Sequence, residues 1–92
     1  PSSNLFLGSG LFDWQTAEKQ GAQVTPATDV GGGTSLSMIR TLADAYKIQA
    51  LQGVKLTAFK ALYSATRGAA QALRLQHEIG SFDTGTTADI AV

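Results

Sequence analysis

Asp29 sits in Thr28-Asp29-Val30-Gly31-Gly32-Gly33-Thr34-Ser35, after a short extended run and before three glycines and a helix. In α/β barrels, residues at the C-terminal ends of strands build the active site, which makes Asp29 the best single candidate for chemistry. The same pattern fits an aspartate that only caps or stabilises a turn, and spacing leaves both roles open. Gly31–Gly33 could present backbone N–H groups to an anion at a helix N-terminus. The run lacks the Gly-Lys-Ser/Thr ending of a P-loop, and no Gly-x-Gly-x-x-Gly follows a strand, so a tight connection is the simpler role. His77 is the only histidine, and one histidine does not make a metal site of ordinary ligand spacing. Near a helix C-terminus it complements the helix dipole. No cysteine is present, which excludes thiolate metal sites, disulfides and cysteine nucleophiles. Lys47, Lys55, Lys60, Arg67 and Arg74 are scattered and read as solvated. Phe59 and Tyr63, four apart on a helix, read as core packing. These residues alone assemble no acid–base pair, triad or metal cluster.

The elements that would carry them are mostly helical. Residues 1–12 read as an apolar loop broken at Gly8-Ser9-Gly10. Asp13 can cap a helix over 14–20 that ends at Gly21. Ala22–Thr25 is a short strand candidate, weakened by Pro26. Thr34 or Ser35 can cap a helix over 36–52. Leu36, Ile39, Leu42, Ala43, Tyr46 and Ala50 form one stripe, and Met38, Ala45, Ile48 and Leu51 much of a second. A helix apolar over so much of its girth should be covered on more than one side. Thr57 caps a helix over 58–66, Gly68 interrupts, and 69–75 adds further turns. After turn chemistry from Gly80 to Gly85, Ala88–Val92 alternates as a terminal strand. The fold class is α/β, and within this chain mostly helical.

Composition bounds the partners. The chain has 92 residues and a formal net charge of zero, which argues against nucleic acid or an acidic membrane surface as a partner. No apolar run reaches the roughly 20 residues of a membrane helix, and no signal-peptide pattern opens the sequence. Only 15% of residues are charged, against about 25% in an average soluble domain. A small domain needs more charge than that, because its surface is large for its volume. This composition, with an unpaired final strand, predicts a piece of a larger protein whose remainder covers it. The alternative is a processed small protein with an uncharged polar surface.

Several segments resemble guanine deaminases. Pro1-Ser2-Ser3-Asn4-Leu5-Phe6-Leu7-Gly8-Ser9-Gly10 is similar to their Cys-Pro-x-Ser-Asn-Leu-x-Leu-x-Ser-Gly segment. Thr28–Ser35 resembles their Gly-Thr-Asp-Val-(Gly/Ala)-Gly stretch. Ser37-Met38-Ile39-Arg40-Thr41-Leu42-Ala43-Asp44-Ala45-Tyr46-Lys47 resembles the bacterial Ser-Met-Leu-x-Thr-x-x-Glu-Ala-Tyr-Lys pattern. Phe59–Gly68, Ile79-Gly80-Ser81-Phe82 and Ala88-Asp89-Ile90 continue it in order. Two stretches depart from the family. Pro26-Ala27 stands where a bulky apolar residue and Gly precede Thr-Asp, and Thr84 with Thr86-Thr87 replaces a Pro-Gly-Lys-Glu turn.

The resemblance implies the C-terminal part of a metal-dependent (β/α)8 TIM barrel that returns toward a small β-sandwich. Residues 1–34 would be the end of the barrel, with strand eight and the Gly-rich turn. Residues 35–78 would be the helices after strand eight, and 79–92 the turn and strand that lead to the sandwich. It implies a cytoplasmic hydrolase of purine catabolism that converts guanine to xanthine and ammonia with zinc. Asp29 would be the catalytic base and a metal ligand, while the metal-binding histidines and catalytic glutamate would lie upstream of Pro1. The chain alone is expected to bind no zinc and to be inactive. Its partners would be guanine, the rest of the barrel and further copies of itself in a homo-oligomer, with no nucleic acid and no membrane. Two other readings stand beside it: a non-enzymatic helical interaction module derived from a deaminase fold, and a small-molecule binding domain that uses the Gly-rich turn.

Overall fold

The computed structural model describes residues 1–91. Five helices follow one another: α1 (Ser2–Phe6), α2 (Trp14–Lys19), α3 (Met38–Leu51), α4 (Ala58–Ala65) and α5 (Arg67–Ala72). The caps read from sequence form at α2 and α4. Asp13 Oδ1 accepts from Thr16 N at 2.9 Å, and Thr57 Oγ1 accepts from Lys60 N at 3.2 Å. The Thr16 hydrogen bonds hold the Asp13 carboxyl below its ordinary pKa.

The cap of α3 is Ser37, not Thr34 or Ser35, and the helix starts at Met38. Ser35 instead accepts from Ser37 N in a local turn, at 3.0 Å. Hydroxyl side chains compete for the backbone just ahead of a helix, and the one with three helical N–H groups beyond it takes the cap. Gly68 does not interrupt. It lies inside α5 and is buried, and a side chain there would come within 3.0 Å of the Tyr63 carbonyl oxygen. The break falls two residues earlier at Thr66, whose hydroxyl donates back to Leu62 O at 2.8 Å.

Two expectations about the segments between helices are corrected. Residues 1–12 contain a helical turn, α1, rather than only loop. Its buried residues are Ser2 and Ser3, which apolar periodicity does not register, and it packs on α3. Residues 22–25 and 88–91 form no strand, and no sheet exists among the described residues. A strand is held by a ladder to a neighbour, and the one bridge here is isolated, between Val30 and Gly33. The last residue of the expected strand Ala88–Val92 lies outside the described residues.

The core gathers Trp14, Leu42, Ala45, Leu56 and Ala61, with Val24, Met38 and Ala65 against them. The buried face of α3 is Thr41, Leu42, Ala45, Ile48 and Gln49. Only one side of α3 is covered, and Leu36, Ile39 and Leu51 are each more than two-thirds exposed. Phe59, expected in the core, is 89% exposed, and Tyr63 is half exposed. Helix α4 turns its small residues inward, Ala61 and Ser64, which lets it approach α3 closely and leaves its aromatics outside.

Polar groups tie the helices across the core. The buried Gln49 amide donates to Phe12 O at 2.7 Å and accepts from Trp14 N at 3.3 Å, which fixes the entry to α2. Trp14 Nε1 donates to Glu18 at 2.9 Å. Lys60 pairs with the same carboxylate and lies 6.0 Å from the Trp14 ring centroid. Foremost among the causes, Lys60 holds the Glu18 carboxyl below its ordinary value of 4.5. A carboxyl with a depressed folded-state pKa stabilises the fold above its unfolded value, and that contribution is lost as pH falls through the folded value. The pair is partly exposed, so about 1 kcal/mol or less is expected from it. Glu18→Gln should therefore lower the urea midpoint at neutral pH, and the difference from wild type should vanish in acid well below 4.5. A difference that persists there would remove the ion pair as its cause.

Candidate active site

The Gly-rich turn is built on one carbonyl. Asp29 adopts a left-handed backbone with φ +53°, and its carbonyl oxygen accepts both Gly32 N, at 3.0 Å, and Gly33 N. Gly33 closes the turn because nothing else fits. A Cβ there would stand 1.8 Å from the Thr28 carbonyl oxygen. The backbone of Asp29 is thereby anchored, while its side chain is exposed.

The anchored carboxylate makes no hydrogen bond or ion pair among the described residues. Both oxygens keep free lone pairs, which is what a proton acceptor needs. Asp29 also lines a cavity of about 260 Å³ with Asn4, Trp14, Pro26, Ala45 and Gln49. Helices α1, α2 and α3 thus close around the extended segment that leads to Asp29. His77 is exposed and has Gln76 as its hydrogen-bond neighbour, at 3.4 Å. It does not line the Asp29 cavity.

Among the described residues, no three His, Cys, Asp or Glu side chains stand together as a metal site. Zinc sites take three or four protein ligands, so the residues present do not fit a complete centre. Asp29 offers one ligand position. Sequence reasoning from the residues missed Leu7, whose Cδ1 stands beside Gly32, and Gln49, which supports the entry to α2. Leu7 had a signal in the Ser-Asn-Leu-x-Leu stretch. Gln49 had none, since a polar residue on a helix reads as solvent-facing until its buried partners are known.

Residues 1–92 match the amidohydrolase family. The chain belongs to that family. Within it, guanine deaminase of Escherichia coli (strain K12) is 47% identical over 92 residues, covering 100% of this chain and 21% of that protein. The solved E. coli guanine deaminase superposes with a TM-score of 0.91 at 46% identity, over 96% of this chain and 21% of that one. Guanine deaminase from Bradyrhizobium japonicum superposes with a TM-score of 0.86 at 35% identity, over 96% of this chain and 24% of that one. A 5-methylthioadenosine/S-adenosylhomocysteine deaminase of Symbiobacterium thermophilum is 35% identical over 97 residues, covering 98% of this chain and 22% of that protein. The chain therefore spans about a fifth of the length of these amidohydrolases, and its helical arrangement is that of the corresponding stretch in the solved ones.

Proposed function

We propose that the chain is the C-terminal segment of a zinc-dependent guanine deaminase, in which Asp29 is the proton-accepting carboxylate and a metal ligand. The observation that carries this reading is the likeness to guanine deaminases along nearly the whole chain, in sequence and in fold together. The anchored, unpaired carboxylate of Asp29 supports the role given to it. Residues 22–30 would take the place of the last barrel strand, α3 to α5 the helices after it, and the segment beyond Ile79 the return toward a small β-sandwich. The strand ladders missing among the described residues would then be supplied by neighbouring strands of the barrel.

In the proposed reaction, water adds to the amino-bearing purine carbon of guanine. Asp29 takes a proton from that water and delivers it to the departing amine. The carbon–nitrogen bond breaks, ammonia leaves, and the remaining water proton passes from the new hydroxyl to the adjacent ring nitrogen, which leaves the carbonyl of xanthine. Zinc lowers the pKa of a bound water toward neutrality. One carboxylate does not hold zinc by itself, so the remaining ligands would come from outside this chain. The exposed apolar faces of α3 and α4 would be covered by the rest of the barrel or by a second subunit of a cytoplasmic homo-oligomer.

A second reading within the family is a deaminase of adenosine-type thioethers, favoured by the Symbiobacterium thermophilum relative. Its lower identity places it behind the guanine reading. Sequencing the reading frame upstream of Pro1 tests the proposal at little effort. A His-x-His pair in a preceding barrel half is expected, and a stop codon immediately before Pro1 would overturn it in favour of a free-standing interaction module.

A further inference from the structure

The three glycines after Asp29 have three different reasons to be glycine. Gly31 has φ +102°, a backbone region that side chains disfavour. Gly33 has the Thr28 carbonyl where a Cβ would be. Gly32 has neither constraint: its φ is not in the left-handed region, and no backbone atom is among the three closest to its would-be Cβ. Those three atoms are Asp29 Oδ2 at 3.1 Å, Leu7 Cδ1 at 3.3 Å and Asp29 Cγ at 3.5 Å. The turn does not need glycine at this position, but the carboxylate does.

We propose that Gly32 is a positioning residue for the reaction, and that its bare Cα, walled by Leu7, sets where the Asp29 carboxylate stands. This rests on the reading of Asp29 as the proton acceptor. The carboxylate has no hydrogen bond among the described residues to hold its side-chain torsion, and the bare Cα of Gly32 leaves Oδ2 its seat. Proton transfer needs heavy atoms about 2.6–3.2 Å apart, and a misplacement of about 1 Å can cost on the order of 10²-fold in rate. A methyl group on Gly32 pushes Oδ2 away from its seat by a few tenths of an ångström. Leu7 Cδ1 is the other close neighbour of that methyl, so loss of the Leu7 isobutyl group relieves part of the crowding.

The test is steady-state kinetics of the full-length enzyme with guanine for Gly32→Ala, Leu7→Ala, the double variant and Asp29→Asn. Gly32→Ala is expected to lower kcat by roughly 10-fold while KM stays within about twofold, since the chemical step and not binding is disturbed. Leu7→Ala alone should stay within about threefold of wild type. The double variant should regain part of the lost kcat, and the urea midpoints of the single and double variants are read beside it, since residues in contact couple in stability with either sign and only a kcat that moves without the midpoint marks positioning. Should Gly32→Ala not fold, Asp29→Glu moves the carboxylate by one methylene without touching the turn, and a similar fall in kcat with KM held is expected. Wild-type kcat in the folded displacing variant, with Asp29→Asn inactive, overturns the positioning role alone. A double variant worse than Gly32→Ala also overturns it. An active Asp29→Asn overturns the proton-acceptor reading and the positioning role with it.

Discussion

Asp29→Asn in the full-length enzyme is expected to lower kcat by at least 10²-fold while leaving the thermal midpoint close to wild type. The asparagine amide has nearly the shape of the carboxylate but accepts no proton, and removing a general base typically costs about 10²–10⁴-fold. The fold should survive, because the Asp29 side chain supports no other group. It is exposed and makes no hydrogen bond or ion pair among the described residues. What holds the turn is the Asp29 carbonyl oxygen, which accepts from Gly32 and Gly33, and the substitution leaves that carbonyl in place. Retention of more than about a tenth of the rate would be too much for a missing general base.

Gly33→Ala should have the opposite signature, with the fold failing first. Its Cβ would lie 1.8 Å from the Thr28 carbonyl oxygen and 3.0 Å from that of Asp29, and no rotation of a methyl group relieves a clash with backbone. The turn has to open, and both hydrogen bonds to the Asp29 carbonyl go with it. Each such bond contributes about 1 kcal/mol net, and the forced backbone adds roughly 1–3 kcal/mol of strain. A loss of roughly 3 kcal/mol or more is expected. It would be read as a lowered urea midpoint or as a failure to accumulate folded protein, with activity lost in parallel. An unchanged midpoint would mean that the turn tolerates a Cβ, and the close approach of Gly33 to Thr28 would have to be abandoned.

The local chemistry of the chain was legible before its structure. Asp13 and Thr57 cap α2 and α4 as their types and positions predict, because a cap is decided by a side chain and the N–H groups two or three residues on. The helix count after the Gly-rich turn was legible from apolar periodicity instead, since the α3 cap is Ser37 and α5 has no side-chain cap. Errors arose where the outcome depends on distant partners. Helix α1 was hidden because Ser2 and Ser3 are its buried residues, and burial of serine leaves no apolar period. Gly68 looked like a breaker, yet it sits inside α5 because Tyr63 lies where a side chain would go. Phe59 and Tyr63 looked like core, but Ala61 and Ser64 take the inward face of α4. The short extended segments around Val24 and Ile90 carry strand-like residues, and strands form only when a neighbouring edge is present.

The candidate site was legible in part. Asp29 stood out because it follows a short extended run and precedes a Gly-rich turn and a helix, although spacing alone left a plain turn as the alternative. The structure adds what spacing does not contain: a carbonyl that accepts twice, a carboxylate with no partner among the described residues, and Leu7, just past α1, brought against Gly32. Leu7 and Gly32 lie 25 positions apart in sequence, and only the folded chain brings them together.

The central claim is tested most directly by supplying the full-length protein that carries this segment with guanine, 5-methylthioadenosine and S-adenosylhomocysteine in turn. Ammonia release and the purine product are measured together. Guanine is expected to be consumed, with xanthine and ammonia formed one to one, and the two thioethers to be deaminated far more slowly. Deamination of either thioether with guanine left intact would contradict it.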